Sequence, residues 1–293
     1  MLAEDAELDK IKFPTEAQPK VDGVRSLHIT GGLTGRSLKK HKNLHVTERY
    51  AHSKYAGLDG EMFVGNQTDA ALCRNTSSAL GTIKGEPEVR WMLFDYITEH
   101  TKHLGYMERH RILSDRIGEI GDSSLLLIPT FTVRSMADLL ALETVWLDEG
   151  YEGVILRGPL NSYKSGRSTA REGGLLRIKR FVQEDAIVTG IQEGRVNGND
   201  ATTNELGRTE RSSHQENMEP NGMVGALECI EVKTGMKILV SAGEMDHDTR
   251  RRFFLNPSLI LQKRISFKHL PTGRKDLPRF PTYVCIREES DIV

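Results

Sequence analysis

Downstream of Glu184 the chain offers five short runs of strand-type residues and only one run with a helical pattern. That limits how its second part can fold. The runs are "DAIVTGIQEG", "GALECIEV", "MKILVSAG", "KRISFKHL" and "TYVCIR", with "HDTRRRFFLN" as the helix among them. Five strands with little helix suit a small closed barrel of the OB-fold type. The first two runs are separated by "RVNGNDATTNELGRTERSSHQENMEPNG", which is polar, turn-rich and almost free of large apolar residues. A loop of that length is usually functional or disordered.

The first part has a different texture, with strand-like and helix-like segments alternating. "AGLDGEMFVG" and "VRWMLFDYITEH" carry apolar and aromatic runs of strand length, and "YEGVILRG" and "GLLRIKRF" follow later as short strands. "SMADLLALETVWLDEG" reads as a helix. Ser135 and Asp138 form a capping-box pattern, Met136, Leu139 and Leu140 are expected on one face, and Gly150 ends it. The expectation is an α+β chain of two domains, 1–183 and 184–293, with the polar insert at about 195–221 inside the second.

With 293 residues, 38% hydrophobic and 28% charged, there is material for real cores. A net charge of −1 does not mark the whole chain as a nucleic-acid binder, but the charge is unevenly spread. Ten lysines and arginines between Arg250 and Arg287 face the single acid Asp276, and Lys164, Arg167, Arg171, Arg177, Lys179 and Arg180 face only Glu172. Such faces suit a phosphate backbone, or form an ordinary solvated surface. Cys73, Cys229 and Cys285 are widely spaced, which argues against a disulfide framework or a zinc cluster. The opening "MLAEDAELDK" has no signal-peptide pattern and no apolar run is long enough to span a bilayer, so a cytoplasmic protein is expected.

"AQPKVDGVRS" then poses a choice. Asp22-Gly23 reads as a turn, and Lys20 reads either as an exposed turn residue or as a reactive one. The decision comes from the segments that follow it: "TGRSLKKHKN", "LDGE" (58–61), "FDY" (94–96), "EGVILR" (152–157), "LLRIKRF" (175–181) and "PRFPTYVCIREE" near the end. In that order and spacing they resemble the motif series of the covalent nucleotidyltransferases, and specifically the ATP-dependent DNA ligases. The resemblance extends over nearly the whole chain and is to minimal members built of an adenylation domain and an OB domain.

The resemblance implies a fold of antiparallel sheets with flanking helices followed by the five-stranded barrel. It also implies an enzyme that seals 3′-OH/5′-phosphate nicks in duplex DNA with ATP as AMP donor and Mg²⁺ (or Mn²⁺) as cofactor, working as a monomer. Lys20 is implied as the nucleophile that takes AMP, a role that requires its free amine. Arg25 lies against the nucleotide and Arg36 meets the nick 5′-phosphate, both as guanidinium forks for phosphate oxygens. Glu61 accepts from the ribose hydroxyls, and Glu152, with Glu61, holds the divalent metal. Phe94 stacks on adenine or simply packs in the core. The family has two lysines where this chain has Arg177 and Lys179, placed by strand alternation on one face toward the α-phosphate.

Arg279, Arg287 and Asp291 are implied as ligands of the pyrophosphate leaving group, reached when the OB domain swings over the ATP site. "RNTSSALGT" (74–82) resembles a segment that approaches the nick, through Thr76 and Ser77, and reads equally as a polar loop. The insert stands where the family has a latch that closes around DNA. Arg208 and Arg211 are its candidate contacts, and without DNA it is expected to be disordered. An mRNA-capping guanylyltransferase, an RNA ligase and a catalytically dead nick-binding module share parts of this pattern. An NAD-dependent ligase is disfavoured by the short chain and the missing cysteine cluster.

Overall fold

Strands outnumber helices in both parts of the chain. The computed structural model describes residues 1–29, 31–271 and 277–287. Two units separate, Met1–Lys179 and Arg180–Val293. In chain order the first contains β1 (Glu4–Asp5), β2 (Thr15–Pro19), β3 (Val24–Ile29), β4 (Gly32–Gly35), α1 (Leu44–Arg49), β5 (Leu58–Val64) and α2 (Leu72–Gly81). It continues with β6 (Val89–Tyr96), α3 (Tyr106–Ile120), β7 (Leu125–Leu127), β8 (Phe131–Val133), α4 (Met136–Asp148), β9 (Gly153–Arg157) and β10 (Leu175–Lys179). The second contains β11 (Val182–Asn197), β12 (Ala201–Thr203), β13 (Thr209–Arg211), β14 (Met218–Glu231), β15 (Lys237–Ser241), α5 (His247–Leu255), β16 (Arg264–Leu270) and β17 (Arg279–Ile286).

The first unit is built on two five-stranded, mostly antiparallel sheets, ordered β1-β10-β9-β2-β8 and β4-β3-β5-β6-β7. One apolar cluster joins them: Ala17 and Val154 from the first sheet meet Phe63 and Met92 from the second, with Leu139 and Trp146 of α4. A second cluster includes Leu33, Val46, Tyr50, Trp91 and Leu113. It is the reason "WMLF" is so apolar, since its side chains enter both clusters. Each large side chain buried this way contributes about 1.5–3 kcal/mol.

Three glycines fix how closely the strands approach. A Cβ on Gly23 would stand 2.4 Å from the Met62 carbonyl oxygen, one on Gly60 2.4 Å from that of Met92, and one on Gly153 2.2 Å from that of Ile178. Gly23 is therefore required by the backbone of β5 beside it.

Two readings of helices change. Ser135 caps α4 as expected, its Oγ accepting from the Asp138 amide at 3.1 Å. Leu139 is buried, whereas Leu140 is 40% exposed, so Leu140 leaves the face it was assigned to; Glu143 and Trp146 continue that face instead. The segment from Arg74, for which a polar loop was one of two readings, lies in the helix α2, which buries Leu72, Thr76 and Leu80 at four-residue spacing.

In the second unit β11, β14, β15, β17 and β16 close into a barrel. Val188, Val224, Leu227, Val240, Ile265 and Phe267 fill it, joined by Phe253 of α5. Asp246 caps that helix, its Oδ1 accepting from the Thr249 amide at 2.6 Å. The insert has a defined form where disorder was expected. β11 and β14 run on into it as far as the pair Asn197↔Met218, and β12 and β13 form a small hairpin beyond. The Asn199 side chain ties its base together by donating to the carbonyls of Ser212 and His214 at 2.9 and 2.8 Å.

Candidate active site

Lys20 sits at the end of β2, where the backbone is pinned on both sides. Its amide donates to the Gly153 carbonyl at 2.9 Å, and its own carbonyl accepts from the Glu152 amide at 3.0 Å. This local pairing brings Lys20 and Glu152 together although 132 residues separate them. Lys20 Nζ donates to Glu152 Oε2, and Lys179 Nζ, arriving on β10, donates to Oε1 of the same carboxylate. Glu152 is 4% exposed. Burial opposes its charge, but the two lysines more than offset that and hold its carboxyl below the ordinary range.

Lys20 lines a cavity of about 400 Å³ with Arg25, Arg36, Glu61, Phe94 and Arg177. That volume lies in the range of small-molecule sites. β3 and β5 pair Arg25 opposite Glu61. The Arg25 guanidinium nevertheless forks onto Asp59, with Nε to Oδ1 at 3.0 Å and Nη2 to Oδ2 at 2.7 Å. Burial disfavours the charge of Arg25, and the Asp59 carboxylate outweighs it, so its pKa lies above the usual arginine range. Glu61 is pushed up to about 7, chiefly by burial, with Lys20 and Arg25 acting the other way. Arg36 is shifted down, first by burial and then by the nearby charges of Arg167, Arg25 and Arg177. Four arginines thus share one cationic field beside the cavity, which suits an anionic ligand.

Phe94 lines the cavity and packs against the main core cluster. Cations flank it, with the Arg157 guanidinium 5.0 Å and that of Arg25 5.7 Å from the ring centroid. Behind it lies a network that sequence reasoning missed. Asp95, 1% exposed, accepts from Arg109 at 2.7 and 3.0 Å and from Arg157 Nη1 at 3.1 Å. Arg109 and Arg157 are themselves 1% and 3% exposed. Gln18 was also missed; it lines the cavity and donates to Thr130 Oγ1 at 2.9 Å and to the Tyr106 hydroxyl.

Residues 217–287 match the sequence family described as the DNA ligase OB-like domain. No curated protein matches the chain. Among solved structures, the Chlorella virus DNA ligase–adenylate is 26% identical with a TM-score of 0.54, and the match covers 98% of each chain. A second crystal structure of that DNA ligase–adenylate matches at 25% identity, covering 99% of this chain and 97% of the other with a TM-score of 0.54. Over nearly its whole length the chain is thus similar to ATP-dependent DNA ligases. A Lig E DNA ligase shares the fold, at 19% identity, 98% coverage of both chains and a TM-score of 0.72.

The other ligase-type positions divide unequally. On α2, Ser77 lines the cavity, but Thr76 is fully buried and its hydroxyl accepts from the Val64 amide at 3.1 Å. Thr76 therefore braces α2 against β5 and does not present its hydroxyl to a nick, which corrects its assignment. Arg177 is half-exposed on β10 and held by Asp5. In the barrel, Arg279 opens β17, and Arg287 follows its end with Nε donating to Asp185 Oδ1 at 3.1 Å. Arg208 and Arg211 are exposed on the insert, where Arg211 donates to the Asn199 carbonyl. Asp291 lies outside the described residues.

Among the described residues, no group of three or more His, Cys, Asp or Glu side chains could hold a metal ion. Glu61 and Glu152 are close enough to feel each other's charge. Two carboxylates completed by phosphate oxygens would make the all-oxygen set that Mg²⁺ takes. No helix among the described residues is long and apolar enough to cross a membrane.

Proposed function

We propose that this ligase seals 3′-OH/5′-phosphate nicks in duplex DNA through three nucleotidyl transfers, with Lys20 as the covalent carrier of AMP. The observation that carries the reading is the shared contact of Lys20 and Lys179 with the buried Glu152 beside a cationic cavity walled by Phe94. In the first transfer the Lys20 amine, having lost its proton, forms an N–P bond to the α-phosphorus of ATP, and the P–O bond to pyrophosphate breaks. Glu152 fixes the direction of the Lys20 side chain, and Lys179 and Arg177 set positive charge where phosphate oxygens gather.

In the second transfer an oxygen of the nick 5′-phosphate attacks the same phosphorus, and the N–P bond to Lys20 breaks. In the third the 3′-hydroxyl attacks the 5′-phosphate and AMP leaves. Arg36 is assigned to the 5′-phosphate, Glu61 to the ribose hydroxyls and Phe94 to the adenine face. Arg279 and Arg287, with Asp291, are assigned to the pyrophosphate of the first transfer. Glu61 and Glu152 would hold Mg²⁺, which supplies charge neutralisation at the phosphates when bound. The insert, through Arg208 and Arg211, is assigned to the DNA backbone.

Incubation with α-labelled ATP and Mg²⁺, then a chase with nicked DNA or nicked RNA, tests this. The parent should form a protein–AMP adduct and pass the label to DNA, and Lys20→Ala should form none. An adduct mapping to another lysine, adduct formation from GTP alone, or transfer only to RNA would refute the assignment.

A further inference from the structure

β1 is an acidic strand laid along Arg177 of the proposed ATP site and along Arg167, and one of its carboxylates is aimed at the cavity-wall residue Arg177. β1 pairs in parallel with β10, with Asp5 directly opposite Arg177. Arg177 Nε donates to Asp5 Oδ1 at 2.5 Å and Nη2 to Oδ2 at 3.1 Å, and the Ala6 amide donates to the Arg177 carbonyl at 2.9 Å. Next to it Arg167 Nη1 donates to the Ala3 carbonyl at 2.8 Å, with Glu4 3.8 Å from its Nε. Leu2 and Ala3 line the same cavity as Lys20 and Arg177.

A two-point fork fixes the plane of a guanidinium; a single contact leaves it free to rotate. We propose that Asp5 is a positioning residue, which holds the Arg177 guanidinium along the cavity wall in the attitude that meets the phosphates of ATP. The inference rests on the ATP site proposed above. The Asp5 side chain is 69% exposed, so the pair contributes little to folding, and a loss that appears in nucleotide binding without a loss of stability belongs to positioning. A lysine at 177 would present a single ammonium with no plane to fix, so Asp5 acts through the arginine specifically.

The test measures ATP binding by calorimetry in the Lys20→Ala background and the rate of lysyl-adenylate formation in the parent background. Asp5→Asn should weaken ATP binding and raise the KM for ATP about three- to tenfold, with kcat and the thermal midpoint nearly unchanged. Asp5→Glu should recover part of the loss. In an Arg177→Lys chain, Asp5→Asn should have no further effect. Unchanged ATP affinity and KM in Asp5→Asn, or equal losses in the arginine and lysine backgrounds, would overturn the proposal. If the chain that retains Asp5 neither binds ATP nor forms an adduct, the functional reading itself fails, and that outcome is distinct from a failure confined to Asp5→Asn.

Discussion

Replacing Asp95 with asparagine tests whether the network behind Phe94 holds the first unit together. The side chain keeps its shape, but one carboxylate oxygen becomes an NH₂ group that faces donors. Asp95 accepts three guanidinium hydrogen bonds, two from Arg109 and one from Arg157, and all three residues are almost completely buried. Removing one partner of a buried ion pair strands the remaining charge, which typically costs about 3–5 kcal/mol. In a unit of this size about 2–4 °C accompanies each kcal/mol, so the midpoint should fall by roughly 6–20 °C. Trp91 and Trp146, both buried in the first unit, are the only tryptophans, so fluorescence unfolding follows that unit alone. Adduct formation should weaken as well, because Arg157 stacks on Phe94. A midpoint within about 1 °C of the parent would mean that these arginines are not held through Asp95, and the reasoning would fail.

The raised pKa of Glu61 makes a prediction about pH. Its folded value of about 7 exceeds the ordinary 4.5, so its contribution to stability is fully present below about pH 4.5 and is lost as pH rises through 7. The nucleotide-free protein should lose up to about 3 kcal/mol over that window. Glu61→Gln should flatten the profile, and an identical pH slope in both proteins would contradict it. The insert offers the other test. Because Asn197 and Met218 are register partners, the residues between them can be replaced by a two-residue turn without moving β11 or β14. The shortened protein should form the AMP adduct normally, bind nicked duplex more weakly and show a shallower salt dependence; sealing at the parental rate in moderate salt would reduce the insert to a spacer.

What the sequence disclosed depended on where each signal was carried. The barrel was legible because its strands alternate around Val188, Leu227, Val240, Ile265 and Phe267. Lys20, Glu61 and Phe94 were legible because each sits in a short motif, and the structure brings all three to one cavity. The helix α2 went unseen because Asn, Thr and Ser are weak helix formers, although Leu72, Thr76 and Leu80 recur at the helical interval. Asp95, Arg109 and Arg157 escaped notice because arginine in sequence reads as surface, and nothing local reveals a partner 62 residues away. Leu140 was misplaced because an adjacent apolar pair does not say which member faces inward.

The three close-approach glycines stand beside the reactive positions: Gly23 three residues after Lys20, Gly60 before Glu61 and Gly153 after Glu152. Each lets a strand lie against a neighbouring carbonyl, and a slip of one residue would drive a Cβ into that oxygen. The glycines are register pins for the chemistry next to them. A short motif such as "KVDG" or "LDGE" therefore records two separate demands in adjacent letters. A library that varies its lysine or glutamate samples altered reactivity on an intact scaffold, whereas one that varies the glycine samples misaligned strands.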